Sequence, residues 1–391
     1  MERGATNLIS DRSSRLPPFY VMEILEKAHE LEREGAEVVH MEVGEPDFDT
    51  PEPIREAAIR AIHQGMTRYT HSQGIPSLRE AIAKEYQDRY GVTVSPDNII
   101  VTSGTSPAMI LIFGALLNPA EEILLSNPCY ACYPNIVEFI GGTVRYVDVY
   151  EEDGFNFRCD MVREQLGPAV KGVMINSPSN PTGIVLSEGE ISELVEAVGE
   201  EAYIISDEIY HGLVYEGREH SVLEYTDRCF VLNGFSKLYA MTGWRLGYVI
   251  CPPEFVRAMQ KIQQNILICA NSFVQWAGIA ALEETATYVR EMVETYDRRR
   301  KFLLERLKAM GFGIEVEPTG AFYIFANASR FTTDTYRFCL DVLETAHLAI
   351  TPGIDFGSGG EGYVRFSYAN SLANIEEGTE RLKRFLDERE G

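Results

Sequence analysis

One segment of the chain holds a lysine, a serine and an arginine in an order that could support covalent chemistry. Lys237 directly follows Ser236, and Arg245 comes eight residues later. A lysine amine can form a Schiff base with an aldehyde, and enzymes often use lysine in this way. The guanidinium of Arg245 could bind a phosphate, with the Ser236 hydroxyl as a further donor. The segment therefore suits a ligand that carries both an aldehyde and a phosphate.

Two polar residues upstream extend this set of groups. Asp207 lies thirty residues before Lys237, and Asn180 lies in the run 176–183. An acid can pair with a protonated ring nitrogen, and an amide can donate to a phenolic oxygen. Pyridoxal 5′-phosphate needs a lysine for its aldehyde, an acid for its ring nitrogen, donors for its phenolic oxygen and cations for its phosphate. The sequence therefore predicts this cofactor.

Short apolar runs that end at turn signals predict the strands that position these residues. Their small length and β-branched content favour buried strands. The seven runs are 98–102, 121–126, 143–149, 172–176, 203–207, 229–233 and 246–250. Helical patterns lie between several of them, which predicts an α/β fold with a mostly parallel sheet covered by helices on both faces. Ser77 with Glu80, and Ser187 with Glu190, are predicted capping boxes of two of these helices.

The candidate residues fall where the predicted strands end, which is where open α/β sheets bind ligands. Gly104, Thr105 and Ser106 follow one strand and open a helical pattern, whose backbone N–H groups would favour a phosphate. Each feature also has an ordinary structural interpretation. An Asp after a strand is often a helix cap, a Ser–Lys pair commonly lies on the surface, and residues 103–106 could be a plain turn. Their recurrence at successive strand ends favours a common site.

The second half of the chain changes character. A long charged helix is predicted over 287–310, followed by strands at 321–326 and 362–367 and a last helix that starts near Asn374, with Glu377 placed for a capping box. We therefore predict a large domain over 46–285. A smaller α+β domain is predicted to combine residues 1–45 with residues 286–391.

Length, charge and cysteine content limit the possible classes of protein. The 391 residues suffice for two or more domains, and the net charge of −24 argues against a nucleic-acid or anionic-membrane surface. The N-terminal segment is polar and no apolar stretch is long enough to cross a bilayer, so we predict a cytoplasmic protein without a membrane partner. Cys129 and Cys132 have the spacing of a metal or redox half-site, but nothing completes it, so no metal is predicted.

Taken in order, the motifs resemble the class I/II pyridoxal-phosphate-dependent aminotransferases, which share the aspartate-aminotransferase fold (fold type I). The resemblance runs from about Val43 to Ala369. It rests on residues 44–48, 69–70, 74–79, 180–183, 207–210, 236–237, 243–245 and 365–367. The resemblance implies a large domain with a seven-stranded sheet, a smaller α+β domain, and a homodimer with active sites at the subunit interface.

The resemblance also implies roles for individual residues. Lys237 would hold the cofactor covalently and later move the proton of the substrate. Asp207 would pair with the pyridine nitrogen, while Asn180 and Tyr210 would hold the phenolic oxygen. Tyr130 would stack on the cofactor ring, although plain core packing is its structural alternative.

The remaining roles concern the phosphate and the substrate. The residues implied at the phosphate are Gly104, Thr105, Ser106, Ser236, Arg245 and, from a neighbouring subunit, Tyr69. Arg365 would bind the α-carboxylate of the substrate as a bidentate fork, beside the Gly44 backbone and Asn180. A surface ion pair is the alternative for Arg365, and the Tyr69 role requires a dimer.

These roles predict an enzyme, an aminotransferase that moves an amino group between an L-amino acid and a 2-oxo acid by a ping-pong cycle. A β-lyase, or another reaction of the same cofactor, would use the same scaffold. A non-catalytic sensor, like the aminotransferase-like domains of some transcription regulators, is a third possibility. It is disfavoured because the fold motifs begin by Gly44, leaving no room for a DNA-binding module, and because Lys237 and Asp207 are intact.

Overall fold

The structure, a computed structural model, describes residues 9–390 of the chain. Within them the strands are β1 (Val39–His40), β2 (Ile99–Thr102), β3 (Glu122–Asn127), β4 (Thr143–Asp148), β5 (Val170–Asn176), β6 (Tyr203–Asp207), β7 (Cys229–Gly234), β8 (Gly247–Ile250), β9 (Tyr323–Asn327), β10 (Leu348–Ala349), β11 (Thr351–Pro352) and β12 (Tyr363–Ser367). The α-helices are α1 (Asp11–Arg15), α2 (Tyr20–Arg33), α3 (Glu52–His63), α4 (Pro76–Tyr90), α5 (Thr105–Leu116), α6 (Cys132–Ile140), α7 (Cys159–Gln165), α8 (Glu188–Val198), α9 (Pro253–Ile266), α10 (Ser272–Glu284), α11 (Ala286–Met310), α12 (Thr335–Ala346) and α13 (Leu372–Glu390).

A seven-stranded sheet forms the centre of the fold, in the order β2-β8-β7-β6-β5-β3-β4. Strand β8 runs antiparallel to both of its neighbours, and the other four pairings are parallel. Parallel strands need crossover connections, and helices supply them here, so both faces of the sheet are covered. The predicted mostly parallel, seven-stranded α/β sheet is confirmed.

Successive residues of the central strands pack into two different cores. On β6 and β7, Ile204 and Val231 belong to one buried cluster, while Ile205 and Leu232 belong to the other. Side chains of a strand alternate between the two faces of its sheet, so each cluster is the core beneath one layer of helices. Burial on both faces explains why these strands read as continuous apolar runs in the sequence.

A smaller sheet lies in the C-terminal part of the chain. Strands β11, β12 and β9 form it in that order with antiparallel pairing, and β1 pairs in parallel with β10. Helix α2 packs against α12 and β11, so the N-terminal segment contacts the C-terminal elements. This sheet carries Arg365 on β12, and it brings that residue towards the large sheet.

Two of the three predicted helix caps are wrong, and proline and serine explain why. Helix α4 begins at Pro76, whose fixed φ suits the first helical position, so Ser77 falls inside the first turn and makes no cap. Helix α13 begins at Leu372, and the Ser371 hydroxyl accepts the N–H of Asn374 at 3.1 Å. The Ser187–Glu190 capping box of α8 is confirmed.

None of the helices within residues 9–390 is both long enough and apolar enough to cross a membrane.

Candidate active site

One cavity opens beyond the carboxyl ends of β5, β6 and β7, the part of an open α/β sheet that binds ligands. Its volume is about 310 Å³, within the range of small-molecule sites. Most of the residues singled out in the sequence line it: Gly44, Thr105, Ser106, Tyr130, Asn180, Asp207, Tyr210, Ser236, Lys237, Arg245 and Arg365. The structure therefore brings together residues that are up to 321 positions apart in sequence, from Gly44 to Arg365.

Lys237 follows β7 and carries its amine into this cavity. Its Nζ donates to the carbonyl oxygen of Gly44 at 2.5 Å. Burial lowers the pKa of Lys237 to about 8, and Arg365 and Arg245 act in the same direction against the carboxylate of Glu45. A neutral amine is the nucleophilic form, so the cavity favours the reactive state of this lysine.

Asp207 ends β6 and is fixed by two hydrogen bonds. Tyr133 donates its hydroxyl to Oδ2 at 2.8 Å, and the N–H of Ile209 donates to Oδ1 at 3.1 Å. Burial raises the pKa of Asp207 to about 6, while these bonds and the charge of Lys237 oppose the rise. The residue is therefore mainly ionised at neutral pH. No α-helix begins at this strand end within the described chain, so the helix-cap interpretation of Asp207 is wrong.

Gly104, Arg245 and the start of α5 form a corner that suits an anion. Helix α5 begins at Thr105, so its free N–H groups point into this corner. Gly104 has a φ of +97°, and a Cβ there would come within 2.7 Å of Nη2 of Arg245. Only glycine gives this close approach without strain. Arg245 Nη1 donates to the carbonyl of Thr242 at 3.1 Å, and Ser236 is buried nearby.

Arg365 is buried, with only 4% of its surface exposed. Nη1 donates to Oδ1 of Asn180 at 2.8 Å, and Nη2 donates to the carbonyl of Glu42 and to the hydroxyl of Thr351. The guanidinium lies 4.4 Å from the ring centre of Tyr323. Its buried Nε has no hydrogen-bond partner among the described residues. Arg365 is therefore not a surface ion pair.

Tyr210 meets a residue that the sequence patterns did not identify. Its hydroxyl lies 2.8 Å from the hydroxyl of Tyr323, which comes from the smaller sheet. Burial, with Tyr323 as the next cause, holds the pKa of Tyr210 well above its usual range. The Tyr210 hydroxyl therefore stays protonated and can donate. A Cβ on Gly44 would collide with the Tyr323 hydroxyl, so Tyr323 also explains the glycine at position 44.

Tyr130 lines the cavity and contacts two other aromatic rings edge-on. Tyr133 lies at 5.3 Å between ring centres and Phe19 at 6.4 Å. Tyr133 lies on α6, three residues after Tyr130. This spacing is the only signal in the sequence for its hydrogen bond to Asp207, and the sequence analysis did not identify it.

Two of the residues singled out do not line the cavity. Gly104 lies against the guanidinium of Arg245 instead. Tyr69 is 81% exposed on the surface of the chain, and its role stays a prediction.

Cys129 and Cys132 lie next to this aromatic group. Burial raises the pKa of Cys129 to about 12, so its thiol is a poor nucleophile at neutral pH. Within residues 9–390, no group of three or more His, Cys, Asp or Glu side chains is arranged to hold a metal ion.

Comparison with known proteins gives consistent matches over nearly the whole chain. The family model for aminotransferase class I and II matches residues 36–382. A (5-formylfuran-3-yl)methyl phosphate transaminase of Methanocaldococcus jannaschii is 43% identical, over 97% of this chain and 100% of that protein. An aspartate aminotransferase of Thermotoga maritima is 39% identical, over 98% and 100%. The structure of Thermus thermophilus aspartate aminotransferase with maleate superposes with a TM-score of 0.92 at 38% identity, and covers 96% of this chain and 99% of that one.

Proposed function

Because the chain belongs to the aminotransferase class I and II family, we propose that it transfers an amino group between an L-amino acid and a 2-oxo acid at the cavity described above. The observation that carries the proposal is the position of Lys237. Its buried amine, with a pKa lowered to about 8, shares one cavity with the carboxylate of Asp207 and with the anion corner at Arg245. A reactive amine, an acid and an anion site are the groups that transamination needs.

Pyridoxal 5′-phosphate fits the residues present. The anion corner at Gly104 and Arg245 would hold its phosphate, with Thr105, Ser106 and Ser236, and Asp207 would face its ring nitrogen. Asn180 and Tyr210 would donate to its phenolic oxygen, and Tyr130 would pack on its ring. When bound, the cofactor supplies an electron sink that stabilises negative charge at the substrate Cα.

The side chains of the site then have distinct tasks. Lys237 would provide the amine that takes the proton from the substrate Cα and delivers it to the C4′ carbon of the cofactor, which its lowered pKa favours. Asp207 would keep a negative charge beside the ring nitrogen of the cofactor. Arg365 offers its guanidinium to the α-carboxylate, and its hydrogen bond to Asn180 fixes the direction of the fork.

A panel assay tests the proposed function. Purified protein with cofactor is incubated with single L-amino acids and either 2-oxoglutarate or pyruvate, and the new amino acid is quantified together with free ammonia. Transamination should transfer nitrogen to the acceptor without release of ammonia. Release of ammonia in place of transfer would indicate a β-lyase, and a protein inactive with every pair would contradict an enzymatic role.

Arg365→Lys should reduce kcat/KM for the amino acid by roughly 30-fold, about 2 kcal/mol, because the charge remains but the two parallel donors are lost. Absorbance of the bound cofactor should not change, since the phosphate would be held by the anion corner at Gly104 and Arg245 and not by Arg365. The comparison is with the amine that lacks the carboxylate, whose slow reaction should be unaffected. If Arg365→Ala still prefers the amino acid over the corresponding amine as strongly as wild type does, another cation binds the carboxylate.

The pKa of Lys237 can be measured by competitive acetylation of the cofactor-free protein. Since burial lowers this pKa to about 8, labelling should rise about tenfold per pH unit below pH 8 and level off above it. Lys84 is the internal control, because the carboxylate of Asp88 raises its pKa above the ordinary value and its labelling should still rise past pH 10. Labelling of Lys237 that follows Lys84 would contradict the lowered pKa.

We also propose a homodimer, in which the exposed Tyr69 reaches the phosphate corner of the neighbouring subunit. The proposed division of the chain joins residues 1–45 with 286–391 and leaves 46–285 as the large domain. The packing of α2 against α12 supports this division.

In the proposed homodimer, Tyr69→Phe should weaken cofactor retention. An unchanged dissociation constant for the cofactor would argue against the role of Tyr69 at the neighbouring subunit.

A further inference from the structure

Three cations line the cavity in the part of the chain that the structure describes, and each already has a position in the site. The Lys237 amine is bonded to the Gly44 carbonyl, and Arg245 lies over Gly104 at the anion corner. Arg365, in the middle of β12, is held by hydrogen bonds to Asn180, Glu42 and Thr351. A second carboxylate on a substrate would therefore find no further cation on these walls.

The wall contributed by the N-terminal segment is apolar. Phe19, Val21 and Met22 line the cavity. Phe19 contacts the edge of Tyr130, and Tyr130 contacts the edge of Tyr133, at 6.4 and 5.3 Å between ring centres. These three rings form a row, here called the aromatic row, which leads from Asp207 to the N-terminal segment. Such a surface gains free energy when it covers an apolar or aromatic group.

A buried carboxylate fixes this wall relative to Arg365. The N–H of Tyr20 donates to Oδ1 of Asp355 at 2.8 Å, so Asp355 holds the first turn of α2. Asp355 lies three residues after the end of β11, whose Thr351 pairs with Arg365 on β12. The apolar wall and the arginine are thus attached to the same small sheet, and the distance between them is set by the fold.

A negative charge in the cavity acts against a second substrate carboxylate. Glu45 lines the cavity, and its carboxylate accepts the Thr242 hydroxyl. An additional anion, placed between Glu45 and the apolar wall, would lose its hydration without gaining a partner.

We propose that the preferred amino-acid substrate has a single carboxylate and an apolar side chain, aromatic above all, which packs on Phe19, Val21 and Met22. This inference rests on the proposed transamination at the same cavity. It separates the chain from its relatives named aspartate aminotransferases, whose named substrate has two carboxylates.

The test compares substrates on the enzyme with its cofactor. L-Phenylalanine and L-leucine should each exceed L-aspartate and L-glutamate in kcat/KM by at least about tenfold, the smallest effect expected from a matched apolar pocket. Equal or faster turnover of L-aspartate overturns the proposal and leaves the aminotransferase function standing. It is also the result expected if a second copy of the chain supplies a cation.

A binding measurement decides the question without turnover. Calorimetry should show 3-phenylpropanoate binding at least about tenfold more tightly than succinate, since only the first matches an apolar wall beside one arginine. The reverse order overturns the proposed substrate class even in a protein that transaminates nothing. Inactivity in the panel assay together with the expected binding order would contradict the proposed function alone.

Two variants locate the specificity. Met22→Lys places a cation on the wall, where the 44% exposed side chain can be accommodated, and should raise the ratio of aspartate to phenylalanine turnover by at least about tenfold. Leu372→Lys is the matched control, because Leu372 is 47% exposed at the start of α13 and does not line the cavity. An unchanged ratio in Met22→Lys would show that this wall does not contact the substrate side chain.

Discussion

Lys237→Ala should abolish transamination, with a residual rate at least about 10⁴-fold below wild type, because no other group in the cavity can both hold the cofactor and move the proton. The described residues that line the cavity include no second lysine. The variant should fold, since the substitution removes a buried amine whose burial is itself unfavourable, as its lowered pKa indicates. The measurements are single-turnover kinetics and the absorbance of the purified protein, which should lose its yellow colour after dialysis.

Lys237→Arg is the control for charge, since it keeps a cation in the cavity but offers no nucleophilic amine at neutral pH. It should be as inactive as the alanine variant. Borohydride reduction of the loaded wild-type enzyme, followed by peptide mapping, should place the cofactor on Lys237. A label on another lysine, or an active arginine variant, would contradict the assignment.

The large sheet could be predicted because its strands are buried on both faces. The run 203–207 opens with three apolar residues, two of them β-branched, and the structure reproduces that strand as Tyr203–Asp207. Helix starts were less predictable. Ser77 and Asn374 had plausible partners three residues later, but Pro76 and Ser371 start the helices earlier. Local capping patterns compete with one another, and the sequence does not show which pattern prevails.

The site was predictable where a residue follows a strand, and it was not predictable where the contact is formed by tertiary packing. Asp207 and Lys237 stand at strand ends, so the sheet alone brings them together. Tyr133 lies on a helix and Tyr323 on the smaller sheet, and each reaches its partner only after the layers have packed. The role of Tyr69 depends on a second subunit, which the chain by itself does not supply.

The second large effect is expected at Asp207. Asp207→Asn should lower kcat by roughly 10³–10⁴-fold, equivalent to about 4–5.5 kcal/mol, since a neutral amide cannot stabilise a positive charge on the ring nitrogen. The substitution is nearly isosteric. Its Oδ1 can still accept the N–H of Ile209, and its amide can donate to the Tyr133 hydroxyl, which now lies 2.8 Å from Oδ2. Cofactor binding and the thermal unfolding midpoint should therefore change little.

Tyr133→Phe separates the charge of Asp207 from the position of its carboxylate. It removes one hydrogen bond to a charged group but leaves the charge, so kcat should fall by only about tenfold, the effect of about 1.5 kcal/mol. Without the hydroxyl that opposes the effect of burial, the pKa of Asp207 should rise above about 6. The carboxylate must be ionised to act, so the acidic limb of the kcat profile should move to higher pH in Tyr133→Phe. Near-normal turnover of Asp207→Asn would show that Asp207 only shapes the turn at Ile209. An unshifted acidic limb in Tyr133→Phe would show that Tyr133 does not control the ionisation of Asp207.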